Sequence, residues 1–228
     1  MEKNALGRKL LAEFIGSGLL VMAIVSSSIL AHDVLKATIG VSVLYIGLAT
    51  GFWLFGLVES LGPVSGAHFN PAVTIALMAT KDIDGKTGIL YILVQIVGGL
   101  VGIIFTHMQF LHLGLPLIAI SQVARPSWCY WAEFVGTFFL VAVIYGCVRS
   151  GSKLTSLAVG LLVGGGIITT SATMFVNPQV TIARMFTYAI SGVSPSDAIP
   201  FIIAEIAGAL VAAGIFAYLY PKNKGVKE

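Results

Sequence analysis

The sequence predicts an all-α membrane protein with six transmembrane helices plus two re-entrant half-helices, arranged as an inverted repeat. Three observations carry this. Of 228 residues, 57% are hydrophobic and only 10% are charged, where a soluble domain carries about 25% charged residues. Six apolar stretches are long enough to cross a hydrocarbon core of about 30 Å. And the phrase "HFNPAVTIALMA" (residues 68–79) returns as "FVNPQVTIARMF" (residues 175–186).

The first apolar stretch, residues 10–31, is too long for the apolar core of a signal peptide and lacks a small-residue cleavage site, so it reads as a retained span. The others are 37–61, 88–107, 128–148, 154–172 and 200–220. Small residues recur four apart within them, at Gly47/Gly51, Gly98/Gly102, Gly160/Gly164 and Gly208/Ala212. Such pairs let helix backbones approach closely, and ordinary bundle packing explains them. Two shorter stretches, 70–80 and 177–188, each begin at Asn-Pro. Asn caps a helix well, and Pro suits the first helical position because its missing N–H would be unpaired there anyway. About 11 residues of helix reach roughly 17 Å, half the membrane. The runs 62–69 and 172–176 are then irregular approaches to the half-helices. At membrane depth such backbone is tolerated where it lines a wet cavity or is buried in protein.

The two halves match elsewhere. "AEFIGSGLLV" (12–21) answers "AEFVGTFFLV" (132–141), and "VQIVGGLV" (94–101) answers "AEIAGALV" (204–211). A three-span unit reverses direction when copied, so the chain reads as one channel domain over 1–228, with repeats at about 1–110 and 125–222. An inverted repeat places a transport site near the midplane, at discontinuous helices. Lys3, Arg8, Lys9, Lys81, Lys86, Arg149, Lys153, Lys222, Lys224 and Lys227 all fall on one side, whereas Lys36 and Arg125 fall on the other. The positive-inside rule makes both termini cytoplasmic.

The chemistry sits where the half-helices meet. Two facing N-termini each bring about half a positive charge, and Asn70 and Asn177 are placed to donate to a water or hydroxyl oxygen. Pro71, Ala72, Pro178 and Gln179 complete this constriction. A cation, hydronium included, meets a barrier there. Glu13 and Glu133 occupy matching positions inside the first span of each half. A lone intramembrane carboxylate needs a partner; these two read as acceptors for the backbone N–H groups of the approach segments, with proton relay as the alternative. Glu205 and Gln95 match each other, which favours a hydrogen-bonding role for Glu205, while Glu59 is left open between bundle and vestibule. His68 lines the vestibule, as a support for the loop or as a pH-sensitive gate. Cys129 and Cys147 lie 18 residues apart on one helix, about 27 Å, too far to bridge each other. The net charge of +3 gives no case for nucleic acid. No metal cluster, nucleophile–base pair or phosphate loop stands out, so nothing calls for an enzyme or a cofactor.

With these residues in place, the chain resembles the aquaporin/aquaglyceroporin (major intrinsic protein) family over essentially its whole length. The motifs are AEF in both halves, "GPVSGAHFNPAVTIA" (62–76) and "VNPQVTIAR" (176–184). The resemblance implies a homotetramer with one pore per subunit, in a bacterial or archaeal inner membrane. It implies a filter at Thr50, Gly165, Val180 and the Met174 carbonyl, counted from the two Asn residues. Two departures stand out. The second motif usually reads Asn-Pro-Ala, but here Gln179 takes the small residue's place. The filter arginine of water- and glycerol-selective members is replaced by Val180. The ring then reads as wide and uncharged, which implies a passive channel for water and small neutral polar solutes such as glycerol or urea. Val in the arginine position is also similar to a subgroup associated with arsenic resistance, implying as alternative a channel for neutral metalloid or methylated arsenic species. Arg184, one turn beyond Val180, is either a displaced filter cation or a mouth residue that snorkels or pairs with Asp197.

Overall fold

The computed structural model describes residues 2–221, with no strand among them. The C-terminal lysines 222, 224 and 227 used for orientation lie outside the described residues. Eight α-helices follow in order: α1 (Glu2–Ser28), α2 (Ile39–Ser65), α3 (Pro71–Ala79), α4 (Gly85–Gln109), α5 (Trp128–Arg149), α6 (Thr155–Thr169), α7 (Pro178–Arg184) and α8 (Pro195–Leu219). A π-helical turn, Ile29–Val34, extends α1. Five of these elements are long and apolar enough to cross a membrane; α6 is shorter.

The differences from the sequence expectation are local. α6 has 15 residues, about 22 Å of helix, against the 154–172 expected. The Thr169 and Thr170 hydroxyls donate back to the Gly165 and Gly166 carbonyls, and Thr170 is extended. Backbone-bonding hydroxyls after a glycine run give the helix an easy place to stop. The first approach segment is shorter than 62–69, because α2 continues through Gly62, Pro63 and Ser65 before Gly66 terminates it in the left-handed region (φ 90°). The half-helices have nine and seven residues, so both fall short of the roughly 11 expected, α7 more than α3.

The packing is paired. α1 lies against α4 and α5 against α8, while α3 packs on α8 and α7 on α4, so each half-helix is held by the last helix of the other half. α2 and α6 cross where the glycine pairs meet. A Cβ on Gly51 would lie 2.8 Å from the Gly160 carbonyl oxygen, and one on Gly164 would lie 2.9 Å from that of Gly47. At that approach no side chain fits, and the contact is backbone on backbone. Gly98 and Gly208 meet the carbonyls of Phe14 and Phe134, the same contact in each half. Cys129 and Cys147 are both free. At the end of α3, Arg149 pairs with Asp82 at 2.7 Å and donates to the Tyr220 carbonyl, tying the two halves together on the side of the C-terminus. Asp84 caps α4 by accepting from Thr87 N–H at 3.0 Å; its hydrogen bonds with Thr87 hold its carboxyl below the usual range.

Candidate functional site

Asn70 and Asn177 cap their half-helices. Asn70 Oδ1 accepts from the N–H groups of Ala72 (2.8 Å) and Val73 (3.4 Å), and Asn177 Oδ1 from that of Gln179 (3.2 Å). Their amides cross the midplane. Asn70 Nδ2 donates to the Val176 carbonyl at 2.7 Å, and Asn177 Nδ2 to the Phe69 carbonyl at 2.8 Å. The expectation that Asn70 and Asn177 donate to a solute oxygen is thereby narrowed to the second N–H of each amide. One N–H of each holds the opposite loop, because an amide has two donors and buried carbonyls at this depth need a partner.

Each loop hangs from a carboxylate. Glu13 accepts from the backbone N–H of His68 (3.0 Å) and Phe69 (2.8 Å), and from Ser65 Oγ (2.6 Å) and Gln95 Nε2 (2.8 Å). Glu133 accepts from the N–H of Phe175 (2.9 Å) and Val176 (2.6 Å). These acceptors hold backbone in the left-handed region at Ala67, Phe69, Met174 and Val176 (φ 44° to 49°), which costs non-glycine residues roughly 1–2 kcal/mol each. The outer ends of the repeats match as well. Gln95 donates to Thr74 Oγ1, and Thr181 Oγ1 donates to Glu205. His68 bonds Thr74 through Nδ1 at 3.1 Å and stands edge-on to Tyr91. Glu59 accepts from Ser156 Oγ.

Two cavities follow this axis. The larger, about 390 Å³, runs from Asp82, Arg149 and Thr155 past His68, Asn70 and Asn177 to Thr50, Met174 and Val180. The second, about 340 Å³, lies on the far side, among Ile39, Val123, Arg125 and Ser191. Four residues border both: Ile46, Ile167, Thr173 and Arg184. They mark the boundary between the cavities, and it lies beyond the ring expected from sequence. Ile46 is one turn before Thr50 on α2, and Arg184 is one turn after Val180 on α7.

Gly165 does not border either cavity. It is exposed, and a Cβ there would meet nothing within 4 Å. The lining of α6 is Thr155, Val159, Val163 and Ile167, one residue per turn. At 100° per residue Gly165 points away from that stripe. The spacing Val159/Val163/Ile167, beside the Gly160/Gly164 packing stripe, is the sequence signal that fixes the helix phase, and counting back from Asn177 overlooks it.

Arg184 is 3% exposed. Its Nε donates to the Ser191 carbonyl, and its guanidinium lies 3.3 Å from the centroid of the Phe175 ring. It neither snorkels nor meets Asp197, whose oxygens accept from Arg125 N–H, Tyr130 Oη and Ser194 Oγ. The mouth reading is thus corrected in its geometry.

Gln179 is fully buried. Its Nε2 shares the Phe69 carbonyl with Asn177, at 3.3 Å. It fits because Gly99 leaves room, since a Cβ there would collide with Gln179 Oε1. At the matching places of the other half stand Ala72 and Ala209, both fully buried. Large-with-glycine replaces small-with-small. Gly99→Ala is therefore expected to cost about 1–3 kcal/mol by overpacking, and Gln179→Ala in the same chain to restore most of it. Melting of the wild type, the two single variants and the double variant in detergent checks this; independent, additive losses would contradict it.

The family model "Major intrinsic protein" matches residues 1–175. The chain belongs to the major intrinsic protein family. It is 36% identical to "Aquaglyceroporin AqpS" of Rhizobium meliloti (strain 1021) over 220 residues, 96% of this chain and 93% of that protein. It is 31% identical to "Aquaporin AqpM" of Methanothermobacter marburgensis over an alignment of 243 positions that covers 94% of this chain and 98% of that one. The fold is shared with the X-ray structure of the aquaglyceroporin from Plasmodium falciparum (TM-score 0.72, 20% identity, 92% of this chain and 95% of that chain). As a major intrinsic protein the chain is a membrane channel for water and small solutes, not an enzyme.

Proposed function

We propose that this channel passes water and small neutral polar solutes of the glycerol or urea type, through a filter set one helical turn outward of its usual place. What carries the reading is the quartet Ile46, Ile167, Thr173 and Arg184, shared by both cavities, with Arg184 its one charged member. Ile46 and Ile167 offer an apolar wall to a carbon skeleton, and Thr173 and Arg184 offer polar groups to its hydroxyls. Val180 leaves no second cation at the old position. Two half-helix N-termini and one guanidinium oppose cations along the same path.

Neutral metalloid hydroxides present a comparable set of hydroxyl groups and form the second substrate class. Met174 gives them no special support, because it is 4% exposed and packs against Gly166 as wall filler. The reading includes a homotetramer in a bacterial or archaeal inner membrane with cytoplasmic termini, supported by the family resemblance and the one-sided basic residues.

Stopped-flow light scattering on proteoliposomes tests the function. Rapid shrinkage in salt and re-swelling in glycerol, both well above empty vesicles, are expected. Water flux with glycerol excluded would contradict the solute range, and solute accumulation against a gradient would contradict passive passage.

A further inference from the structure

The far-side cavity holds two guanidinium groups and no carboxylate. Arg184 borders it from α7, and Arg125 from the segment before α5. Both lie against Phe175, with Arg184 3.3 Å and Arg125 5.2 Å from the ring centroid. Three consecutive carbonyls receive them: Arg125 donates to Ile190 and Gly192, and Arg184 Nε to Ser191. These are neutral acceptors. The nearby acids spend their hydrogen bonds on other donors: Glu133 accepts from the N–H groups of Phe175 and Val176, Glu205 from Thr181 Oγ1, and Asp197 from the Arg125 backbone N–H and two hydroxyls. Neither arginine forms an ion pair among the described residues. The terminal nitrogens of Arg184 have no hydrogen-bond partner there either, and the Ser191 hydroxyl, itself buried and on the cavity wall, has none.

Glu133, Glu205 and Asp197 act on these arginines through space but do not line the cavity; the groups that face its interior are the two like charges, which make the hollow itself positive. Guanidinium presents paired N–H donors whose fork matches two oxygens of a planar oxyanion. We propose that the far-side cavity binds a small planar oxyanion of the carboxylate or nitrate kind between Arg125 and Arg184, with Ser191 Oγ as a further donor. An anion seated there stands directly against the boundary quartet, so it obstructs the pore. The inference rests on the placement of Arg184 at the filter argued above, and it goes further in making the mouth a binding site.

Nitrate is the probe, because it does not become neutral and cross the bilayer. Water permeability is measured with sodium nitrate or sodium chloride at equal ionic strength on both faces of the vesicles. Nitrate is expected to slow the wild-type channel saturably, with chloride much weaker. Arg125→Gln is expected to raise the half-inhibiting concentration about tenfold, the loss of one charge-assisted pair. Equal behaviour of the two salts on wild type, or equal nitrate potency on Arg125→Gln, overturns the proposal. If Arg125→Gln fails to fold, Arg125→Lys keeps the charge and loses the fork; a severalfold weaker effect is expected, and unchanged potency overturns the site. A nitrate-dependent rise in melting temperature of the detergent-solubilised protein, absent with chloride, reads binding without flux. It separates failure of the site from failure of the channel assignment.

Discussion

Replacing Arg184 with alanine is expected to raise glycerol permeability severalfold and to let protons leak. Arg184 is the charged member of the quartet between the cavities, and its guanidinium lies over Phe175, held by the Ser191 carbonyl. Truncation widens the ring and removes a full positive charge where the field is least screened. It also removes the stack on Phe175, a contact worth roughly 2 kcal/mol when desolvated, so some loss of thermal stability accompanies the gain in flux. Glycerol re-swelling and a pH-dye leak assay on the same vesicles check both parts. An unchanged ratio of glycerol to water permeability would mean that Arg184 is not in the filter.

Glu133→Leu is expected to abolish permeability and lower stability by about 2–6 kcal/mol, because two buried N–H groups each lose their acceptor at roughly 1–3 kcal/mol. The loop they anchor carries Met174 and Val176 at positive φ, and without the anchor it relaxes toward ordinary backbone. Asn177, next in sequence, then loses its register on the Phe69 carbonyl. Glu133→Gln keeps one acceptor oxygen and is expected to fall between. Melting of the purified protein and water flux decide it. A Leu variant that melts and conducts like wild type would show that the carboxylate does not hold the loop.

Much of this was legible because the chemistry is local. Asn-Pro marks a helix start in any context, and the duplicated AEF and NP phrases reveal the repeat without knowledge of contacts. What was not legible depends on phase or on distant partners. Gly165 was reached by counting from Asn177, but the loop after α6 consumes residues without conserving helix phase, so the count lands on the outer face. Ile167 is the residue that faces the axis. Gln179 reads as an anomaly until Gly99, 80 positions earlier, shows its seat. Arg125 entered only as a charge for topology, since nothing local says that the chain folds it over Phe175 beside Arg184.

Cysteine accessibility across α6 tests the displaced filter most directly. In a background with Cys129 and Cys147 replaced by Ser, Ile167→Cys and Gly165→Cys are each treated with a small charged methanethiosulfonate, and water flux is followed. The account predicts strong inhibition at position 167 and none at 165. Block at 165 with position 167 indifferent would return the filter to the ring counted from the motif and contradict its outward shift.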